Sequence, residues 1–325
     1  MSFGYSVLGF GGYTNRFTPS NFGQRGVFAG VGVIDYVAIA TNGDATDFGD
    51  IPGTDTCHGC SNGSRGVSSG VAGTGSNLGT FYVTISTPGN ATDFGDLTEV
   101  ASGVGRANGI YSTSNHLDRG LWLGGYSGVS GPQFTSNIID FVTISVTSNA
   151  TDFGDINSRS RAGAATCSTS TGRAIHTLGQ VSTSDSTGPV TNSISYFNTL
   201  ALGNSSDFGD MSYKVEWASA EADSTRAVIM GGVQDNSETN EKSMEYITIA
   251  NTGNATDFGD TTGVLTYRSG SCSNNVKALI GGGYNYGTSS GWATIDVITI
   301  QTTGNAADFG DLTVGRQAGT GFSGD

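Results

Sequence analysis

Residues 253–260 read GNATDFGD, and the phrase returns as GDATDFGD (43–50), GNATDFGD (89–96), SNATDFGD (148–155), GNSSDFGD (203–210) and GNAADFGD (304–311). The DFGD cores begin at Asp47, Asp93, Asp152, Asp207, Asp257 and Asp308, so successive copies lie 46, 59, 55, 50 and 51 residues apart. Self-similarity at a period of roughly 40 to 50 residues is what all-β propeller blades look like in sequence.

Working upstream from each core, an apolar run ends at Ile39, Ile85, Ile144, Leu200, Ile249 or Ile300, eight residues before the DFGD aspartate except for Leu200, which lies seven before. The runs IDYVAI, TFYVTI, IDFVTI, ISYFNTL, MEYITI and IDVITI alternate large apolar with small or polar residues, which predicts half-buried strands. A second apolar segment precedes each run and ends in glycines: VLGFGGY (Gly11, Gly12), GVSSG (Gly70), GLWLGGY (Gly124, Gly125), AIHTLGQ (Gly179), AVIMGG (Gly231, Gly232) and ALIGGGY (Gly282). A basic residue opens five of these (Arg65, Arg119, Arg173, Arg226, Lys277), and the N-terminal copy VLGFGGY has none. Further upstream lie segments of small residues, such as RANGIYSTSN from Arg106, RAGAATCSTS from Arg161 and RSGSCSNN from Arg268. One unit is thus a small-residue strand, a glycine-ended strand, an IDYVTI strand, the ATDFGD turn and a fourth strand such as DLTV, which makes a four-stranded blade. The last copy runs on to a small-residue segment while the first begins at a glycine-ended one. The expected fold is all-β: a six-bladed propeller over 1–325, its first blade completed by about 316–325, so that no sheet edge is left at the seam. Tyr13 to Val33 and Gly179 to Ser193 are expected to be surface loops.

Composition narrows the function classes. Only 13% of the 325 residues are charged, with 36% hydrophobic content and 52 glycines, which argues against disorder. A net charge of −14, with 14 basic residues of which three are lysines, makes a phosphate backbone or an anionic membrane surface a poor partner. Residues 1–13, MSFGYSVLGFGGY, lack the basic and long apolar regions of a signal peptide, and no run approaches the ~18 apolar residues of a membrane helix. Four cysteines are too few for a disulfide scaffold. Cys57 and Cys60 in CHGC have half the spacing of a zinc site, with no second pair to complete it.

The unit resembles a kelch repeat: Arg268, Cys272, Lys277, Gly282, Tyr284 and Asp296 follow in that family's order of basic residue, small-residue strand, Gly-Gly-Tyr and mid-strand acid. Phe48, Phe94, Phe153, Phe208, Phe258 and Phe309 stand where kelch repeats carry tryptophan. The ATDFGD phrase resembles repeats in virion proteins of marine bacteriophages, especially those infecting cyanobacteria. That resemblance implies a non-enzymatic structural or appendage protein of a phage particle, in symmetric contact with other virion proteins and open to attachment to a host-surface glycan or protein. The alternatives are a glycan- or protein-binding adhesin outside any virion, and a metal-dependent hydrolase or oxidase.

Within the signature, the first Asp is read as a turn residue bonding nearby N–H groups and the Phe as packing between blades. The competing reading is calcium at Asp47, Asp50, Asp93, Asp96, Asp152, Asp155, Asp257, Asp260, Asp308 and Asp311, although calcium wants 6 to 8 oxygens and the EF-hand spacing is lacking. Asn90, Asn149, Asn204 and Asn254 match glycosylation sequons but read as turn residues, being fixed in the repeat. His58, His116 and His176 fall at unlike repeat positions and form no nucleophile–base pattern. No catalytic or cofactor-binding residues are assigned. Aromatic residues of the variable segments, Phe17, Phe22, Phe134, Tyr284, Tyr286 and Trp292, are the candidates for partner binding.

Overall fold

A computed structural model describes residues 23–52, 58–69, 79–98, 111–114, 118–125, 135–182, 188–234, 242–263, 268–285, 290–317 and 319–325. Six antiparallel four-stranded blades form a closed ring. From the channel outward, the first blade is Thr320–Gly324, Arg25–Gly30, Val33–Ala38 and Thr46–Asp50; the second is His58–Ser61, Arg65–Ser69, Gly79–Thr84 and Thr92–Asp96. The third is Tyr111–Ser114, Arg119–Leu123, Ile138–Thr143 and Thr151–Asp155, and the fourth Ala165–Cys167, Arg173–Thr177, Ser193–Asn198 and Ser206–Asp210. The fifth is Ser219–Ala222, Arg226–Met230, Ser243–Thr248 and Thr256–Asp260; the sixth is Gly270–Ser273, Lys277–Gly281, Ser290–Thr299 and Ala307–Arg316. The C-terminal strand pairs antiparallel with Arg25–Gly30 in the expected closure of the ring.

Among the described residues the core lies between blades, in six large clusters that each draw on two neighbours and a seventh, small one of Ala162, Trp217 and Val233. Ile34 and Tyr36 pack toward the second blade with Val83 and Ile85, while Val37 and Ile39 pack toward the sixth with Phe309 and Leu312. The alternation in IDYVAI therefore separates two buried faces, each against a different neighbour, and the expected half-buried strand is corrected accordingly. A side chain on either face is removed from water, at about 25 cal/mol per Å² of apolar surface.

Three other expectations are corrected. DFGD is itself the outermost strand: Gly49 pairs with Ile34 and Asp47 with Asp35, so Phe48 is the extra residue of a β-bulge, and the bulge recurs in all six blades. Only in the sixth blade does this strand run on through DLTVGR. In the first blade the glycine-ended strand is RGVFAG, not VLGFGGY, which lies outside the described residues; Tyr13–Val33 thus contains a central strand rather than one long loop. Its connection to the next strand is the two-residue turn Val31-Gly32, with φ of 52° and 84°, so it needs no Gly-Gly pair to launch a loop. Finally, Thr199, not Leu200, ends the fourth blade's third strand in the core. Thr199 is fully buried and its hydroxyl donates to Gly172 O at 2.8 Å, whereas Leu200 sits 44% exposed in the turn.

The repeated residues hold blade to blade. The backbone N–H of the last DFGD residue donates to the side chain three residues before the next blade's DFGD: Asp50 to Asn90, Asp96 to Asn149, Asp155 to Asn204, Asp210 to Asn254, Asp260 to Asn305 and Asp311 to Asp44, all at 3.0 or 3.1 Å. The carbonyl of the same residue accepts from the residue that follows, as in Ala91 N to Asp50 O at 2.8 Å. The DFGD glycine, with φ between 136° and 153°, lets that neighbouring hairpin approach: a Cβ on Gly49 would sit 2.5 Å from the Gly89 carbonyl. Turn bonding thus belongs mainly to the preceding Asn, although Asp152 does accept from Gly154 N at 3.1 Å.

A second belt runs through the basic residues, each donating to a carbonyl at the end of the next blade's third strand. Arg25 reaches Ile85 O, Arg65 Ile144 O, Arg119 Thr199 O, Arg173 Ala250 O, Arg226 Ile300 O and Lys277 Ala40 O, at 2.5 to 3.2 Å. Five of these arginines also lie over the aromatic ring of their own blade's third strand, from 3.8 Å (Arg173 and Tyr196) to 4.8 Å (Arg119 and Phe141). The mid-strand acids make a third belt: Asp35, Asp140, Glu245 and Asp296 accept the N–H and hydroxyl of Thr313, Thr98, Ser212 and Thr262 from the preceding blade. At the seam Asp35 also forms a buried ion pair with Arg316.

Candidate functional site in the central channel

Small residues line the ring's centre because six inner strands must converge there. Serine hydroxyls stitch them together: Ser112 donates to Gly59 O, Ser61 to Ser323 O, Ser323 to Ser273 O and Ser219 to Ser269 O, at 2.6 to 2.9 Å. Facing the next blade, size is matched to glycine: a Cβ on Gly66 would lie 2.1 Å from Phe322, and one on Gly26 or Gly120 would lie 2.6 Å from the sulfur of Cys272 or Cys60.

The strands enclose a cavity of about 130 Å³ whose lining includes His58, Tyr111, Trp217, Glu221, Arg268 and Ser271. At one end three non-glycine residues in succeeding blades, Ala162, Trp217 and Arg268, hold left-handed φ of 60°, 59° and 55°. This conformation turns their backbone into a chain of bonds around the rim: Trp217 N to Ala162 O, Arg268 N to Trp217 O and Gly319 N to Arg268 O, at 2.5 to 3.3 Å. Left-handed residues of this kind cost of order 1–3 kcal/mol each and persist where the surroundings impose them. The Arg268 guanidinium stacks 4.1 Å above the Trp217 ring.

His58, at the same end, is held neutral. Burial and then the Arg268 charge push it down to about 3, and its Nε2 is buried without a protein partner. Glu221, in the strand that follows Trp217, is pushed up to about 7 by burial. Cys60, Cys167 and Cys272 are buried free thiols, all raised by burial, with Cys167 at about 12. Their thiolates are suppressed, so they serve here as packing groups.

His176 lies away from His58, fully buried between Tyr111 and Phe197, and burial lowers it to about 3. Among the described residues no three His, Cys, Asp or Glu side chains come together as metal ligands. The twelve DFGD aspartates lie exposed or half-exposed on the outermost strands, where charge blocks edge-to-edge pairing with another sheet. Of the predicted partner-binding aromatics, Tyr284 is half-buried against Ala162, Trp217 and Val233, and Trp292 is half-buried in the sixth blade's long third strand. Phe17, Phe22, Phe134 and Tyr286, with Cys57 and His116, lie outside the described residues.

Sequence reading did not single out Trp217 or Glu221. The signal was available for Glu221, the only carboxylate among the inner strands HGCS, YSTS, ATC, SAEA, GSCS and TGFSG. Neither a known protein family nor a curated protein matches this chain in sequence. Among the described residues no helix is long and apolar enough to cross a membrane.

Proposed function

We propose that the protein is a non-catalytic structural and binding disc of a phage particle, joined to other virion proteins and presenting one face to a partner. The observation that carries this reading is the division of labour within the repeat. Its invariant residues are taken up by blade-to-blade bonds, so partner recognition falls to the parts that differ. Topology sorts those parts by face. The hairpins preceding DFGD and the short turns after the inner strands share one face and are nearly alike, whereas the connections after the glycine-ended strands and those leading to the next blade share the other and vary in length and sequence. The resemblance of the ATDFGD phrase to marine phage virion repeats supplies the particle. An acidic, lysine-poor chain fits a surface exposed to seawater and to proteases, because charge of one sign opposes association.

The test is mass spectrometry of purified particles from cells expressing the gene in its native context. Stoichiometric peptides of this chain in the particle support the reading, and their absence from intact particles overturns it. The channel favours a second reading, an adhesin acting outside any virion, which the same absence combined with ligand binding would select.

A further inference from the structure

Five of the six inner strands carry only neutral side chains, and the fifth blade's Ser219–Ala222 carries Glu221. Packing does not call for a carboxylate there: at the same place the neighbouring blades put Thr166 and Cys272. The charged side chains lining the cavity are Glu221 and Arg268, and the Arg268 charge bears on His58 at the rim, not on Glu221. Buried charges are ordinarily paired or bound to a metal ion. We propose that the channel wall between the fifth and sixth blades holds a small monovalent cation, coordinated by the Glu221 carboxylate and the hydroxyls of Ser271 and Ser273, with water completing its shell. The assignment goes beyond the reading of the disc as a virion component and does not depend on it.

Strand register brings the ligands together. Glu221 pairs with Val228 in its own blade, and Ser271 and Ser273 pair with Ile280 and Ala278 in theirs. Val228, Ala278 and Ile280 share the cluster between these two blades, and residues directly opposite in an antiparallel pair share a face. Glu221 thus points across the interface at two serines, which are two residues and about 7 Å apart along their strand. Both serines stand beside the carboxylate. Ser273 is 1% exposed and lines the cavity; its carbonyl accepts from Ser323 at 2.6 Å, but its hydroxyl has no hydrogen-bond partner. An orphaned buried hydroxyl beside a buried carboxylate is the signature of a missing water or ion, and one cation satisfies both by taking lone pairs from each.

Charge and donor type select the cation. One carboxylate supplies one negative charge and the serines supply neutral oxygens, a set that suits a hard ion of single charge. Calcium takes 6 to 8 oxygens and gains affinity from several carboxylates, whereas among the described residues no three His, Cys, Asp or Glu side chains come together. Cys272 lies between the two serines, but burial and then the Glu221 charge keep its proton on, so the soft thiolate that zinc or copper would use is lacking. Space is sufficient for a hydrated ion. At roughly 10–15 Å³ per water, a cavity of about 130 Å³ takes on the order of ten waters.

The experiment melts the full chain at pH 8, above the value of about 7 to which burial pushes Glu221, in chloride salts of sodium, potassium, methylammonium and tetramethylammonium at one ionic strength. Tetramethylammonium is the reference, because its methyl groups keep the charge away from oxygen. Sodium or potassium at ten times its dissociation constant should raise the midpoint by about 2–4 °C over that reference, and the folded protein should broaden the sodium-23 NMR line. Glu221→Gln keeps the shape and loses the charge: it should melt above the parent in the reference salt, gain nothing from sodium or potassium and broaden the sodium line less. Ser273→Ala should keep the reference midpoint and need about tenfold more cation for the same rise, the loss of one bond to a charged group. A rise that methylammonium does not reproduce assigns a metal ion, and one that it matches or exceeds assigns a primary ammonium group. The same response in Glu221→Gln as in the parent, no response of the folded parent by either readout, or a larger response to calcium chloride each overturns the proposal. None of these outcomes bears on the virion reading, which particle mass spectrometry decides separately.

Discussion

Two glycines in the fifth blade allow the blade-contact reading to be separated from backbone strain. Gly259 in DFGD and Gly253 in the preceding hairpin both hold positive φ, 136° and 158°, so alanine at either carries a backbone cost of about 1–3 kcal/mol. Their surroundings differ. A Cβ at Gly253 meets nothing within 4 Å, whereas one at Gly259 would lie 2.5 Å from the Gly304 carbonyl and 2.9 Å from Asn305 N in the sixth blade. Restoring an ordinary contact of 3.4 Å requires the hairpin to retreat by the difference from 2.5 Å, about 0.9 Å. Three bonds cross that gap: Gly304 N to Phe258 O at 2.7 Å, Ala306 N to Asp260 O at 2.8 Å and Asp260 N to Asn305 Oδ1 at 3.0 Å. Stretched by that amount, all three leave hydrogen-bonding range. At about 1 kcal/mol each, Gly259→Ala should cost about 3 kcal/mol more than Gly253→Ala. Urea unfolding followed by tryptophan fluorescence reads the difference in midpoint at matched slope. Equal losses in the two variants would refute the claim that the DFGD glycine exists to admit the next blade.

Asp35→Ala should cost about 3–5 kcal/mol, because it leaves Arg316 buried without its charge partner and strips Thr313 of two bonds. Calorimetry should show the loss shrinking in Asp35→Ala combined with Arg316→Met. Acid should destabilise the fold through His176: the unfolded chain binds a proton below about 6.5 that the folded state refuses until about 3, so between pH 7 and pH 5 about 2 kcal/mol is lost. His58, lowered to about 3 in the same way, contributes a like amount, so His176→Phe should halve the acid slope rather than abolish it. Glu221 works in the opposite sense, since its folded form keeps a proton to about 7 that the unfolded chain releases near 4.5, so stability falls as pH rises through that window. Melting of Glu221→Gln at pH 8 should therefore exceed that of the parent. Cys60, Cys167 and Cys272 should resist a thiol-reactive dye in native protein and react on unfolding.

Blade number, strand order and ring closure could be read from the repeat because the residues that make blades stick are periodic. Phe48 and its five equivalents mark the interfaces, and the glycine beside each marks where the next hairpin docks. The first blade was misplaced for a physical reason. VLGFGGY looks like the other glycine-ended strands, but RGVFAG turns through two residues and has Arg25 in place of the missing basic group, reaching Ile85 O at 2.6 Å. Leu200 misled similarly, since a buried threonine with a satisfied hydroxyl fills the apolar slot. The channel was harder to see. Its groups come from different blades and break the repeat, and their convergence depends on a rim geometry that only the closed ring imposes.

The most direct test of the central claim, that the signature binds blade to blade, is to remove its side-chain belt stepwise. Replacing Asp44, Asn90, Asn149, Asn204, Asn254 and Asn305 by alanine one after another takes away six well-separated bonds, which should add at about 1 kcal/mol each. The account predicts an unfolding free energy that falls steadily with each replacement, by about 6 kcal/mol in all. A six-fold variant as stable as the parent would contradict it.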